Sequence, residues 1–175
     1  MVRRMAMKRI LILGACGTGK STFARRLHSA IQIPIIHLDR EYWLPNWTEP
    51  AQDEWNDIVA QLVQRETWIM DGNYSNSLQH RVPRADTIIL LDRPTLTCFW
   101  RVCKRIFTHY GKVRPDMSEG CIERFYPGFM LYVLTFNLKK RKSLIRLIET
   151  QKNEKVTYVF RKAAEIDAFL AGLAS

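Results

Sequence analysis

One short stretch restricts the fold of this chain more than any other, the segment ILILGACGTGKST at residues 10–22. Four apolar residues lead into a loop with three glycines, and a Lys-Ser-Thr step follows. Residues 14–21 fit the pattern G-x-x-x-x-G-K-[ST] at every fixed position. The pattern predicts a buried strand, a phosphate-binding loop and the first turn of a helix, in that order.

The same loop predicts a site for ATP and Mg²⁺. Glycine tolerates positive φ, so backbone N–H groups can surround an anion, and the positive end of the following helix adds to this attraction. Lys20 is expected to contact the β- and γ-phosphates, and the Ser21 hydroxyl is expected to bind the metal. The predicted ATP-binding residues of the loop are Gly14, Ala15, Cys16, Gly17, Thr18, Gly19, Lys20, Ser21 and Thr22.

Apolar runs alternate with helix-compatible segments along the rest of the chain. The predicted strands are residues 9–13, 34–38, 67–71, 87–91 and 156–160. The predicted helices are residues 20–32, 52–66, 96–109 and 163–173, together with an apolar and basic stretch at 121–151. This alternation predicts an α/β fold in which helices cover both faces of a five-stranded parallel sheet, in a single domain over residues 1–175.

The segment THYGKVRPDMSEG at residues 108–120 has no strand pattern and is punctuated by Gly, Pro, Asp and Ser. Long loops in compact domains often carry function. We therefore favour a lid, inserted at about residues 106–124, over a plain surface connection.

The positive net charge of this chain indicates which classes of partner it attracts. Lys and Arg outnumber Asp and Glu by 27 to 17, and the net charge of +10 attracts phosphate groups on small molecules, nucleic acids or lipids. The run KKRKSLIR at residues 139–146 contains five basic residues on a predicted helix. It is either a nucleic-acid patch or, as we favour, a solvated helix face.

Neither a membrane nor an oxidising compartment is indicated. The basic start MVRRMAMKR precedes an apolar run that is too short for a signal sequence, and the apolar run at residues 128–138 is about half the length of a membrane span. Cys16, Cys98, Cys103 and Cys121 form no C-x-x-C pair. We expect a cytoplasmic protein with reduced cysteines and no membrane partner.

Three carboxylates, Asp39, Asp71 and Asp92, follow predicted strands, where ligands of open parallel sheets bind. Asp39 is expected to accept the proton of a substrate hydroxyl or to orient hydrated Mg²⁺. The alternative for each carboxylate is a helix N-cap or a turn. Arg101 and Arg105 are four residues apart, so on a helix they form either a clamp for a phosphoryl group or a solvated basic face.

Residues 67–105 resemble the adenylate-kinase-like family of small P-loop kinases. The segments HLDREYW, DGNYS and GKVRPDM are more closely similar to a bacterial group named for modulation of DNA topology. The resemblance implies a P-loop nucleoside-triphosphate hydrolase fold of the nucleotide-kinase type, with a lid. The features that match the family are Asp71-Gly72, Gln79, Pro94, Arg101 and Arg105.

The resemblance also implies roles for particular residues. Asp92 resembles a carboxylate that supports the metal, Arg114 and Arg124 resemble lid arginines that close over ATP, and Arg161 lies where the family holds the adenine ring. The implied catalytic residues are Lys20, Asp39, Arg101 and Arg105, and Arg101 is also expected to bind ATP.

The acceptor side departs from the family pattern. Adenylate kinases continue Asp-Gly with Phe-Pro-Arg, whereas this chain continues with Asn73, Tyr74 and Ser75, so AMP is not implied as the acceptor. Arg40, Arg81 and Arg84 are candidates to replace the missing arginine. The predicted acceptor-binding residues are Asp39, Arg40, Tyr42, Asp71, Gly72, Asn73, Gln79 and Arg81.

An aromatic cluster follows Asp39. Tyr42, Trp43 and Trp47 either stack on a planar acceptor such as a base or pack within the core.

Two functions are compatible with these features. The first is a kinase that transfers the γ-phosphoryl group of ATP to a nucleotide, a nucleoside or another hydroxylated metabolite. The second is an ATP-responsive nucleic-acid-binding protein that affects DNA topology. Because the candidate residues converge on one site and no nucleic-acid readout motif is present, we favour the kinase. The sequence leaves the identity of the acceptor and the choice between monomer and dimer open.

Overall fold

Five parallel strands form the centre of the molecule. The computed structural model describes residues 7–174, so the ends of the predicted domain at residues 1 and 175 lie outside the described residues. The strand order is β2-β3-β1-β4-β5, which places the strand before the glycine loop in the middle of the sheet. The strands are β1 (Arg9–Gly14), β2 (Ile35–His37), β3 (Trp68–Asp71), β4 (Thr87–Leu91) and β5 (Val156–Phe160).

Helices connect and cover the strands. The predicted helix after the glycine loop, the helix before β3 and the last helix are all present, with ends that differ from the prediction by at most a few residues. The helices are α1 (Lys20–Ile31), α2 (Leu38–Tyr42), α3 (Gln52–Leu62), α4 (Leu78–Arg84), α5 (Thr95–His109), α6 (Pro127–Lys139), α7 (Arg141–Gln151) and α8 (Ala163–Ala174).

The sheet is buried on both faces, which explains why its strands are apolar without alternation. In β1, Leu11 and Leu13 pack into one core with residues of α3, α5, α6 and α7. Ile10 and Ile12 point to the other face and pack against α1 and α8. All four residues are fully buried, so β1 holds the glycine loop on a rigid base.

The apolar and basic stretch at 121–151 is two helices rather than one continuous element. The helical structure is interrupted at Lys140, between α6 and α7, and the basic run 139–146 therefore spans a helix junction. Lys139, Lys140, Lys142 and Arg146 are exposed, whereas Arg141 turns back toward the sheet. Within residues 7–174, each helix falls short of the length and apolarity needed to cross a membrane.

The segment 110–126, hereafter the lid segment, joins α5 to α6 without a regular helix or strand of its own. It has the shape of a short hairpin, with an antiparallel bridge between Val113 and Ile122. The backbone N–H of Gly111 donates to the Glu123 carbonyl, and the N–H of Glu123 donates to the Lys112 carbonyl. Residues 110–120 of the predicted loop lack regular helix or strand, whereas residues 108 and 109 belong to α5, and the lid role stays a prediction.

Candidate active site

The glycine loop has the backbone geometry that an anion site requires. Gly14, Gly17 and Gly19 all have positive φ. At Gly17 a side chain would also collide with the backbone of Cys98 in α5, so the loop and α5 pack together too closely for any residue but glycine. Burial raises the pKa of the thiol of Cys16, which is part of the loop, and this favours the protonated thiol.

Lys20 and Asn73 both hold the first residue of the loop. The Lys20 ammonium donates hydrogen bonds to the carbonyls of Gly14 (2.8 Å) and Ala15 (3.1 Å). The Asn73 amide accepts from the Gly14 N–H at 3.1 Å and donates to the Gly14 carbonyl at 2.7 Å. Asn73 was predicted to contact the acceptor, and its amide instead ties the end of β3 to the phosphate-binding loop.

Asp39 lies beside the loop at the start of α2. It accepts a hydrogen bond of 2.7 Å from the Tyr74 hydroxyl. Burial raises the pKa of the Asp39 carboxyl above its ordinary value, and this outweighs the opposing effects of Tyr74 and of the Lys20 charge. A carboxylate with a raised pKa is a better proton acceptor than an exposed one.

Asp71, which is buried, and His37, which is half-buried, form a pair beside Asp39. Their strands β3 and β2 are adjacent in register, and Nδ1 of His37 lies 2.7 Å from Oδ1 of Asp71. Burial by itself disfavours a charged His37, but the hydrogen bond and the charge of Asp71 together raise the histidine pKa. The pair was not predicted, although two polar residues at the ends of neighbouring strands were a signal for it.

Arg101 and Arg105 share a face of α5, as their spacing predicted. Arg101 is exposed and donates a 3.4 Å hydrogen bond to the Thr18 carbonyl of the phosphate loop. Arg105 lies farther along the cavity, over the Phe129 ring, and pairs with Glu123 at 3.4 Å.

The lid segment places a chain of charges against the cavity. Glu123 is 3% exposed and binds Arg105 on one side and Arg114 (2.6 Å) on the other. Arg114 also pairs with Asp116 at 3.1 Å. Asp116 lines the same cavity as Ser21 of the phosphate loop. Burial opposes the charge of Asp116, but Arg114 and Ser21 outweigh it and lower the pKa of this carboxyl.

The tip of the lid segment contacts the segment after Asp39. The Ser118 hydroxyl donates to the Arg40 carbonyl at 2.6 Å, and the Trp47 indole donates to the Ile122 carbonyl at 2.9 Å. The backbone N–H of Asn46 donates to the Gly120 carbonyl at 3.3 Å. The lid segment is thus fastened to the segment that follows Asp39.

Asp92 and Arg161 do not join the cavity. Asp92 ends β4 but accepts two 2.7 Å hydrogen bonds from Arg141, and Arg161 approaches it at 3.4 Å. Asp92, which was expected to support the metal, is thus engaged outside the cavity in a salt bridge that docks α7. The side chain of Arg161 is 64% exposed and pairs with Asp92 at 3.4 Å, and its role at an adenine ring stays a prediction.

Arg81 corrects another expectation. Its side chain is fully buried and donates to the Gly72 carbonyl (3.0 Å), to the carbonyls of Asn73 and Tyr74, and to the Ser77 hydroxyl. Burial lowers the pKa of Arg81 to about 9, so it remains charged at neutral pH. Arg81 holds the loop after β3 and has no surface to offer an acceptor.

Four other predicted residues also lie away from the cavity, among the residues that the structure describes. Gln79 is exposed and contacts His80, while Arg84 donates to the Val63 carbonyl. Arg40 and Arg124 are exposed on the surface.

The aromatic cluster is packed against itself. Tyr42 lies 4.9 Å from the Trp55 ring and 4.5 Å from the Tyr74 ring, and Trp43 lies 5.4 Å from Trp47, between ring centroids. Trp55 is 2% exposed. Tyr42 is half-buried and packs against the core, as in the core-packing alternative, while Trp43 and Trp47 are half-buried against each other.

One open cavity of about 760 Å³ lies beside the phosphate-binding loop. Over residues 7–174 no group of three or more His, Cys, Asp or Glu side chains is arranged as a metal cage. The predicted residues that line the cavity are Cys16, Gly17, Thr18, Gly19, Lys20, Ser21, Thr22, Asp39, Asp71, Gly72, Arg101, Arg105 and Arg114. Lining residues that sequence reasoning missed include Arg25, Arg93, His109, Asp116, Ala163 and Ile166.

No protein-family model and no curated protein matches this chain by sequence. Among solved structures, a shikimate kinase from Acinetobacter baumannii in complex with shikimate is similar, with a TM-score of 0.60 and 14% identity over 96% of this chain and 91% of the other. A shikimate kinase from Bacteroides thetaiotaomicron has a TM-score of 0.57 and 16% identity, covering 96% of each chain. A gluconokinase from Sinorhizobium meliloti 1021 has a TM-score of 0.52 and 19% identity, covering 98% of this chain and 94% of the other. The chain has the α/β fold of P-loop nucleotide kinases, with five parallel strands.

Proposed function

We propose that this protein is a kinase that transfers the γ-phosphoryl group of ATP to a hydroxyl of a small acceptor, which is a nucleotide, a nucleoside or another hydroxylated metabolite. One observation carries the proposal: Lys20, Asp39 and Arg105 line the same cavity beside the phosphate-binding loop. These side chains supply a phosphate ligand, a proton acceptor and a cation for the transferred charge. The fold similarity to shikimate kinases and to a gluconokinase supports the same reaction class by analogy.

Each residue has a defined part in the proposed transfer. Asp39 takes the proton of the acceptor hydroxyl as its oxygen bonds to the γ-phosphorus, and the bond between that phosphorus and the β,γ-bridging oxygen breaks to release ADP. Lys20, Arg101 and Arg105 stabilise the charge on the phosphoryl oxygens. The raised pKa of Asp39 suits a proton acceptor, since it strengthens the base.

The donor set of the loop fits Mg²⁺. Ser21 offers a hydroxyl, carboxylates line the same cavity, and Mg²⁺ in such sites is bound by one or two protein oxygens together with phosphates. When bound, the metal neutralises charge on the β- and γ-phosphates. Ser21 would hold it, and Asp92 would not, because Asp92 is bound to Arg141.

Coupled measurement of ADP release tests the proposal. Mg²⁺-ATP is offered with a panel of nucleoside monophosphates, nucleosides and small hydroxylated metabolites, using wild type, Lys20→Ala and Lys142→Ala. We expect one acceptor to stimulate turnover, Lys20→Ala to reduce that rate by about 100-fold or more, and Lys142→Ala to leave it unchanged. Equal turnover in wild type and Lys20→Ala contradicts the proposal.

The nucleic-acid alternative has its own observation, the exposed lysines 139, 140 and 142 at the junction of α6 and α7. It predicts DNA or RNA affinity that falls with salt and is lost when these lysines are replaced by alanine. Affinity that is indifferent to salt and to these substitutions rules it out. A protein that lacks acceptor-stimulated turnover but shows this binding would favour the alternative over the kinase.

A further inference from the structure

Helix α5 presents a stripe of large apolar side chains to solvent. Leu96 is 78% exposed, Trp100 is 71% exposed and Phe107 is 87% exposed. They are four and seven residues apart, which places them on one side of the helix. The residues of α5 that are buried on the opposite side are Cys98, Val102 and Ile106. Packing in the core of the protein therefore does not account for the exposed stripe.

Helix α6 repeats this arrangement. Leu131, Leu134 and Leu138 are exposed and lie three and four residues apart, on one side of the helix. The residues of α6 that are buried are Met130, Val133 and Phe136. They belong to the same core as the buried residues of α5. Because both helices direct their buried sides at one core, their exposed stripes point away from it together.

The two helices lie side by side and form one surface. Near one end of the pair, Asn137 donates a 2.9 Å hydrogen bond to the Thr95 hydroxyl. Near the other end, the Arg105 guanidinium lies 5.6 Å from the centroid of the Phe129 ring. Helices α5 and α6 therefore pack against each other in antiparallel directions. The exposed apolar residues of α5 and α6 named above are hereafter the α5–α6 face.

The α5–α6 face continues onto the lid segment. An apolar cavity of about 380 Å³ is lined by Cys103, Ile106, Phe107, Tyr110 and Phe125. Trp100, Phe107, Tyr110 and Phe125 are each more than half exposed. An aromatic side chain buries about 150–250 Å² when it is covered, so these four alone offer roughly 500 Å². Exposed apolar patches larger than a few hundred Å² mark binding surfaces.

Basic residues border the α5–α6 face. Neither α5 nor α6 contains an aspartate or a glutamate. Lys104 is exposed one turn from Trp100, and the exposed Lys139 and Lys140 directly follow Leu138. The whole chain carries a net charge of +10. Helices that combine Trp, Phe and Leu with Lys in this way are typical of proteins that lie in the interface of an anionic membrane.

We propose that the α5–α6 face docks on an anionic phospholipid membrane, with its apolar side chains at the level of the headgroups and its lysines among the anionic charges. Charge complementarity selects this partner. A second copy of this chain would bring an identical basic border against the first, and like charges oppose such an association. Our expectation of no membrane partner rested on the lengths of apolar runs, which concern helices that span a bilayer and not a surface built by two helices.

The cavity beside the phosphate-binding loop stays open in this arrangement. Arg101 and Arg105 line that cavity from α5, whereas Leu96, Trp100 and Phe107 do not. Docking of the α5–α6 face therefore leaves the loop accessible, and the inference does not depend on the proposed kinase reaction.

Co-sedimentation of the full-length protein with vesicles tests the inference. Vesicles of phosphatidylcholine with about a quarter phosphatidylglycerol are compared with vesicles of phosphatidylcholine alone. We expect wild type to bind the anionic vesicles, more weakly as salt rises, and not the neutral ones. Trp100→Gln combined with Phe107→Gln should weaken this binding by about 10-fold or more. Lys139→Gln combined with Lys140→Gln should weaken it by about 10-fold at low salt.

The matched control is Arg65→Gln combined with Lys162→Gln, which removes the same charge from two exposed positions outside α5 and α6. This variant should bind the anionic vesicles as wild type does. All the substituted residues are exposed, so each variant should keep the urea denaturation midpoint of wild type, and that measurement separates lost docking from lost folding.

Three results would overturn the inference. The first is a wild type that does not bind the anionic vesicles. The second is binding that needs Lys139 and Lys140 but is unchanged by the substitutions at Trp100 and Phe107, as a nucleic-acid patch with a general affinity for anions predicts. The third is a wild-type dimer in analytical ultracentrifugation that the substitutions at Trp100 and Phe107 dissociate, which would assign the α5–α6 face to a second copy of this chain.

Discussion

The phenol of Tyr74 donates a 2.7 Å hydrogen bond to the carboxylate of Asp39, and the two residues are 35 positions apart in the sequence. The bond joins the loop after β3 to the first turn of α2. It stabilises the charged form of Asp39 and therefore opposes the effect of burial on this carboxyl.

Tyr74→Phe should consequently raise the pKa of Asp39 further. A base works only when deprotonated, so activity falls as the pH drops through its pKa, and a higher pKa moves this acidic limb to higher pH. Since one hydrogen bond to a charged group is worth about 1.5 kcal/mol, we expect the limb of kcat/KM to move up by about one pH unit. The control is Tyr158→Phe in β5, which packs on the opposite face of the sheet and should leave the limb in place.

Substitution of Gly17 should lower the free energy of unfolding more than substitution of another glycine with positive φ. Gly17 (φ +82°) and Gly111 (φ +74°) have similar backbones, but only at Gly17 would a new Cβ meet the Cys98 backbone, while Gly111 faces open space. We expect Gly111→Ala to lower the free energy of unfolding by about 1–2 kcal/mol and Gly17→Ala by about 2–5 kcal/mol, as measured by urea denaturation. Similar losses for the two variants would show that φ alone, and not the contact with α5, requires glycine at residue 17.

The salt bridge between Asp92 and Arg141 should make stability depend on pH. The hydrogen bonds from Arg141 lower the pKa of Asp92 in the folded state. Stability from such a group is present above its ordinary, unfolded pKa and is lost as the pH falls through the lower, folded pKa.

Arg141→Met should therefore lower the free energy of unfolding by about 1–2 kcal/mol at pH 7, a value reduced for the partial exposure of Arg141. The difference from wild type should shrink and vanish at acid pH. Denaturation curves over a pH series measure this, with Lys142→Met, an exposed neighbour, as the matched variant. A difference that persists unchanged in acid would show that packing of Arg141, rather than the ion pair, stabilises the docking of α7.

Arg81 is predicted to be structural rather than part of the binding surface. Arg81→Lys keeps a positive charge, but one ammonium group cannot replace a guanidinium that reaches the carbonyls of residues 72–74 and the Ser77 hydroxyl. We expect a loss of about 3 kcal/mol in the free energy of unfolding, because buried carbonyls lose their donors. Arg146→Lys, on an exposed position, should change it by less than about 0.5 kcal/mol. A small loss for Arg81→Lys would mean that this loop needs no guanidinium.

Local patterns were sufficient for much of the fold. The glycine loop, the five strands and the shared face of Arg101 and Arg105 could all be predicted, because each depends on residues close together in the chain. The partners of the buried polar side chains could not be predicted in this way. Asp92 ends a strand as the pattern indicates, yet its partner Arg141 comes from a helix 49 positions later. Arg81 looks like any basic surface residue until the loop that encloses it is known.

The sequence by itself determined that a buried strand, a glycine loop and a helix would form an anion site, since backbone conformation and helix polarity are local properties. The tertiary structure decided which charges face that site. It bound Asp92 to α7, buried Arg81 and paired Asp71 with His37. Those choices depend on strand order and on how segments that are distant in the sequence pack together, and no single segment of the chain contains that information.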